Sequence, residues 1–173
     1  MPVQDTLIQV NTLATHTALS VWAVAGDFFI ILVLFGALFL FAWYVGRGPF
    51  VALLLALYAA YAVYLVFPFG YLLPTAPALT ALLTQVALYL AFVVIVYIIL
   101  RRVVVSDFLF VGLFGLITLS FLGATLLLAF AYQAFPVTTV YHFTHAVDLI
   151  FAPKEYFFWW FVAPLIGLFF LAR

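Results

Sequence analysis

A chain of 173 residues that is 71% hydrophobic and 6% charged is far from the composition of a soluble domain, where about a quarter of residues are charged. Its formal net charge of zero excludes the basic footprint of a nucleic-acid-binding protein, and no nucleic-acid partner is expected. The absence of cysteine excludes disulfides, thiolate metal sites and cysteine nucleophiles, and the mean hydropathy of +1.43 calls for lipid surroundings.

Residues 3–22 are the most polar part of the first half. Val3, Leu7, Val10, Ala14, Ala18 and Val21 recur at helical spacing, while Gln4, Asn11, Thr12, Thr15 and His16 fall largely elsewhere. This pattern predicts an amphipathic helix on the membrane surface, with a partly ordered tail as the other reading. The first residues lack a positive n-region, so no cleaved signal is expected.

Two charge-free runs follow, 27–45 after its leading Asp27 and 50–67, separated by Gly46-Arg47-Gly48-Pro49. At about 1.5 Å per residue each can cross a hydrocarbon core of about 30 Å. Asp27 suits the start of the first span, and Pro49 suits the first turn of the second. On the second span Ala52, Ala56 and Ala60 form a small-residue ridge for close helix contact. Tyr58, Tyr61 and Tyr64 form a stripe whose hydroxyls bond across helices or reach the headgroups, with a substrate path through a polar interior as the other reading.

A loop with Pro68, Pro74 and Pro77 leads to a third span, 79–100, which stops at Arg101-Arg102. Gln85 and Tyr89 share one of its faces and are expected to point at another helix. Ser106-Asp107 offers an N-cap for a fourth span, 108–132, where Gly112, Gly115 and Gly123 would allow close approach. Residues 137–152 read as a second amphipathic helix. The fifth span, 156–172, is short and interrupted by Pro164, predicting a kinked crossing with a re-entrant helix as the alternative.

Five spans place Arg47, Arg101, Arg102 and Arg173 on one side. Asp5, Asp27, Asp148, Lys154, Glu155 and all three histidines fall on the other. The positive-inside rule then puts the arginine side in the cytoplasm, with the N-terminus outside and the C-terminus inside.

Chemistry-bearing residues are sparse. His142, His145 and Asp148 are three apart and would share a helical face, which could bind a divalent ion or respond to pH; the plainer reading is the polar face of an interfacial helix. No Asp, Glu, Lys, Arg or His falls near the middle of any span, which disfavours an ion-coupled carrier. No catalytic-carboxylate pair, His-Glu-x-x-His or Gly-x-Ser-x-Gly is present either, so no enzyme and no cofactor are expected.

The Asp at the head of the first span with Gly46-Arg47-Gly48 at its end, together with Asp107, Gly112 and Phe114-Gly115, resembles the colicin V production (CvpA-like) family of small bacterial inner-membrane proteins. The Phe-Gly pair stands at that family's distance from the aspartate, the first glycine is one residue late, and the final span is unmatched. The resemblance implies a bacterial plasma-membrane protein associated with secretion or envelope integrity.

The expected architecture is one all-α membrane domain over 1–173, with about five transmembrane helices and two interfacial amphipathic helices. The expected partners are the lipid bilayer, further copies of the chain and other membrane proteins. A non-enzymatic scaffold leads. A homo-oligomeric pore lined by Gln85, Tyr89 and the tyrosine stripe is the alternative, and a pH or metal sensor at His142, His145 and Asp148 a minor one.

Overall fold

The computed structural model describes residues 25–68, 70–103, 112–135 and 137–171. The amphipathic segment 3–22, Asp5, His16, Ser106-Asp107 and Arg173 lie outside them. Among the described residues the chain forms α-helices and short 3-10 turns, with no strand. The α-helices are α1 (Ala25–Val45), α2 (Arg47–Val66), α3 (Ala78–Val103), α4 (Leu113–Gln133), α5 (His145–Phe151) and α6 (Lys154–Leu171). All but α5 are long and apolar enough to cross a membrane.

The hairpin between α1 and α2 turns more tightly than expected. Only Gly46 stands outside helix, at φ 108°, a backbone conformation that an L side chain resists. Arg47, Gly48 and Pro49 already belong to α2. Pro49 sits within the first turn, where backbone N–H groups lack intrahelical acceptors, so its missing donor costs nothing. The first bond of α2 runs from the Phe50 N–H to the Gly46 carbonyl at 3.2 Å.

Other boundaries also shift. Helix α3 is helical through Arg101 and Arg102, whose positive charges oppose the negative end of the helix dipole. Helix α4 begins at Leu113: Gly112 before it is extended, and its carbonyl accepts the first helical bond from Leu116 at 2.9 Å, while residues 108–111 of the expected span lie outside the described ones. The segment 137–152 is not one helix. It comprises a 3-10 turn at Val137–Thr139, a non-helical stretch through Thr144, and the seven-residue α5. Helix α6 continues through Pro164, which is fully buried against the bundle.

Helix α3 packs along α2, and α6 along α4. The core is built on α2 and α4, from Phe50, Leu54, Leu57, Leu119, Leu126 and Phe130, joined by Leu38 of α1 and Tyr89 of α3. Ala52, Ala56 and Ala60 are buried at 1% exposure or less, as a contact ridge requires. Gly123 also meets that expectation, because an added Cβ would come within 2.9 Å of Leu54 Cδ2 and 3.0 Å of Leu38 Cδ1. Gly115 is buried, whereas Gly112 is exposed with nothing within contact range and serves as the N-cap. The glycine unnoticed in the sequence is Gly167, whose added Cβ would lie 2.7 Å from Leu122 Cδ1. It lets α6 lie close on α4.

The outer faces are apolar. Phe28, Leu32 and Val33 of α1, Leu83, Val94, Ile95 and Ile98 of α3, and Phe158, Phe169 and Phe170 of α6 are all at least half exposed. Water would penalise such surface heavily, and acyl chains would not.

Candidate functional site: a polar clamp at one end of the bundle

Alternating helix directions bring Arg47 to one end of the bundle together with Arg101 and Arg102. Asp27, Asp148, Lys154 and Glu155 lie at the other. At that second end the polar side chains converge. Asp27, on the first described turn of α1, is 1% exposed. A carboxylate removed from water is costly unless donors surround it. Thr144 supplies two, its backbone N–H at 2.7 Å and its hydroxyl at 2.6 Å, both to Oδ2. The Tyr141 hydroxyl donates to Oδ1 at 3.1 Å.

Thr144 is also the N-cap of α5, in extended conformation, with its carbonyl accepting from Val147 and Asp148. The residue that starts α5 therefore fastens it to α1. The other end of α5 is held from two sides. Gln133 Nε2 of α4 donates to the carbonyls of Phe151 at 3.3 Å and Ala152 at 3.0 Å, and Trp160 Nε1 of α6 donates to Ile150 at 3.2 Å. Carbonyls in the last turn of a helix have no intrahelical donors, so these side chains satisfy them. Between the two ends, the Tyr132 hydroxyl donates to Asp148 Oδ1 at 2.6 Å.

Aromatic rings pack on one another around these bonds. Phe143 packs on Tyr132 and Tyr141 with centroids 5.1 Å and 4.7 Å away, and Phe151 stacks on Trp160 at 5.0 Å. The result is a cap of residues 137–153 clamped over the ends of α1, α4 and α6. The bond to Asp27 raises the Tyr141 phenol above its ordinary pKa, with burial and the carboxylate charge adding to it.

The three residues proposed from spacing are not brought together as one face. His142 lies in the non-helical stretch before α5, His145 is exposed at its first position, and Asp148 is turned to Tyr132. No group of three His, Asp or Glu side chains placed to hold a metal ion occurs among the described residues. The premise of a common helical face fails because helix begins only at His145.

Within the tyrosine stripe Tyr58 bonds across helices through its hydroxyl, while Tyr61 and Tyr64 make ring contacts. Tyr58 donates to the Phe161 carbonyl of α6 at 2.6 Å, and Tyr89 of α3 to the Leu57 carbonyl of α2 at 3.0 Å. Tyr61 stacks on Phe130 at 4.5 Å, and Tyr64 packs on Phe135 at 5.4 Å. These rings form an aromatic plug joining α2, α3, α4 and α6. Gln85, one turn before Tyr89, is half-buried. Sequence reasoning missed Thr144 and Tyr141 as partners of Asp27; two further polar residues in an amphipathic stretch gave no sign of a buried partner.

The five apolar helices, the lipid-compatible exterior and the polar groups gathered at one end define an all-α, multi-pass membrane protein. Comparison with protein-family models, with curated proteins and with solved structures found no match for this chain.

Proposed function

We propose that the chain is a non-enzymatic membrane scaffold or assembly component, of the CvpA-like kind, serving secretion or envelope maintenance in a bacterial inner membrane. The observation that carries this reading is where the polar side chains are spent. Asp27, Asp148, Tyr58, Tyr89, Tyr132, Gln133 and Thr144 each bond to another part of the chain. They hold a cap and a plug in place. The apolar faces of α1 and α3 are left for contact with lipid, further copies or other membrane proteins. The arginine end is assigned to the cytoplasm by the positive-inside rule.

Purification in mild detergent after cross-linking in the membrane tests this. A discrete oligomer, or a reproducible membrane-protein partner, lost when Ile95 and Ile98 of α3 are replaced by serine, is the expected result. A lone monomer without partners would sink the scaffold reading. Steady ion conductance by the purified chain in a planar bilayer would replace it with the pore.

A further inference from the structure

Beneath the Asp27 clamp the bundle opens sideways. Phe28 and Ile31 of α1, Phe121 and Leu128 of α4, Phe151 of α5 and Trp160 of α6 border a half-enclosed crevice of about 210 Å³. Phe28, Ile31 and Phe121 also border a cleft of about 190 Å³ that continues along α1 past Leu32 and Phe35. On the other side, Ile150 and Trp160 border one of about 470 Å³ that reaches Tyr156 and Trp159. The first crevice shares wall residues with each of the other two, and together they mark an apolar groove along the flank of the bundle.

Its chemistry selects the occupant. Thr125 contributes a hydroxyl to the wall, but that hydroxyl donates to the Leu122 carbonyl of its own helix at 2.9 Å. An apolar cavity of about 150 Å³ stays dry and accepts a hydrocarbon ligand, so a larger one opening toward lipid does the same. A helix about 10 Å across takes up about 420 Å³ per turn of about 5.4 Å. Crevices of about 210 and 190 Å³ cannot enclose such a helix, whereas they can enclose part of an acyl chain. Polarity also rises in the right direction. The slot lies a turn below Asp27, and Lys154 and Glu155, both exposed, precede the Tyr156–Trp160 wall. A cation beside an anion matches the phosphate and ammonium of a zwitterionic headgroup better than a purely anionic one.

We propose that this crevice seats one acyl chain of a zwitterionic phospholipid, with the headgroup at Lys154 and Glu155. The lipid then becomes part of the wall between α1, α4 and the cap. The proposal requires only the membrane location and is independent of the scaffold reading, whose tests are co-purification and conductance.

The test uses the full chain in nanodiscs containing phosphatidylethanolamine with a diazirine midway along one acyl chain. After photolysis, mass spectrometry is expected to find label at Ile31, Phe121 and Leu128 about tenfold above that at Ile98, which lies on the exposed face of α3. Ile31→Trp fills the slot and should abolish the label at Leu128, while Ile98→Trp leaves it intact. Ile31→Ala widens the slot and should retain it, which separates blocking from misfolding. Equal labelling of Ile98 and Leu128, undiminished labelling in a helical Ile31→Trp protein, or its loss in Ile31→Ala would overturn the site. So would stronger labelling by a phosphatidylglycerol probe, or a cross-link between two copies through Leu128.

Discussion

Asp27 and Thr144 are joined by two hydrogen bonds, from the backbone N–H at 2.7 Å and the hydroxyl at 2.6 Å, across a separation of 117 residues. One carboxylate oxygen thus fixes both the main chain and the side chain of the residue that starts α5. Because Asp27 is buried, its removal leaves donors without acceptors and not merely a lost contact.

Asp27→Ala should therefore destabilise the cap by about 2–4 kcal/mol, and Thr144→Val by about 1.5 kcal/mol, since valine keeps the backbone donor. Thr144→Ser should stay close to wild type. Hydrogen exchange over residues 137–152 measures this directly. The two damaging variants should lose protection there while α2 and α4 keep theirs. Uniform loss over the whole bundle would contradict a local clamp.

The Tyr141 phenol is raised above its ordinary value of about 10 by its bond to Asp27. For a group whose folded pKa is raised, the stabilisation is fully present below the unfolded value and disappears as pH climbs through the folded one. The Tyr141 contribution should therefore be constant from about pH 6 to pH 9 and vanish only above about pH 10. Ultraviolet titration of phenolate, taken as the difference between wild type and Tyr141→Phe, should place this group above ordinary tyrosines. Its appearance at or below their range would refute the bond.

Close approach at two glycines has a graded cost. The groups met by an added Cβ at Gly123 and Gly167 are leucine methyls, which can move by a few tenths of an ångström. Gly123→Ala and Gly167→Ala should each cost less than about 1 kcal/mol, whereas Gly123→Ile should cost about 1–3 kcal/mol through overpacking. Thermal unfolding in detergent reads the difference. Gly112→Ala, which meets nothing, should shift the midpoint least.

Arg47 and Asp148 fall at opposite ends of the bundle, so cysteines placed there should react with a membrane-impermeant thiol reagent from opposite sides. Labelling of Asp148→Cys in intact cells, with Arg47→Cys protected until lysis, is the expected pattern. The reverse would invert the orientation, and labelling of both from one side would remove the alternation of spans.

Tyr58 and Tyr89 illustrate how far the sequence could be read. Their spacing announced hydroxyls facing other helices, but not that Tyr58 reaches Phe161 and Tyr89 reaches Leu57. Asp27 was visible as a carboxylate at a helix head, while its three donors were not. His142 was misread as part of a helix because a spacing of three suggests a helical face only where helix exists. Gly112 was expected at a helix contact and has none, while Gly167 was passed over and has one, for a related reason: a glycine packs closely only if a neighbour is there, and neighbours are set by how the helices lie on one another.

The sequence by itself determined the membrane class and the approximate spans. These follow from transfer free energies summed over neighbouring residues, a local quantity that needs no knowledge of partners. The tertiary structure alone decided that Asp27 closes on Thr144, that the cap breaks into a non-helical stretch and a short helix, and that a crevice opens beneath it. Each of these depends on helix rotation and contact between residues far apart in the chain, and a buried polar group takes whichever donor the packing delivers.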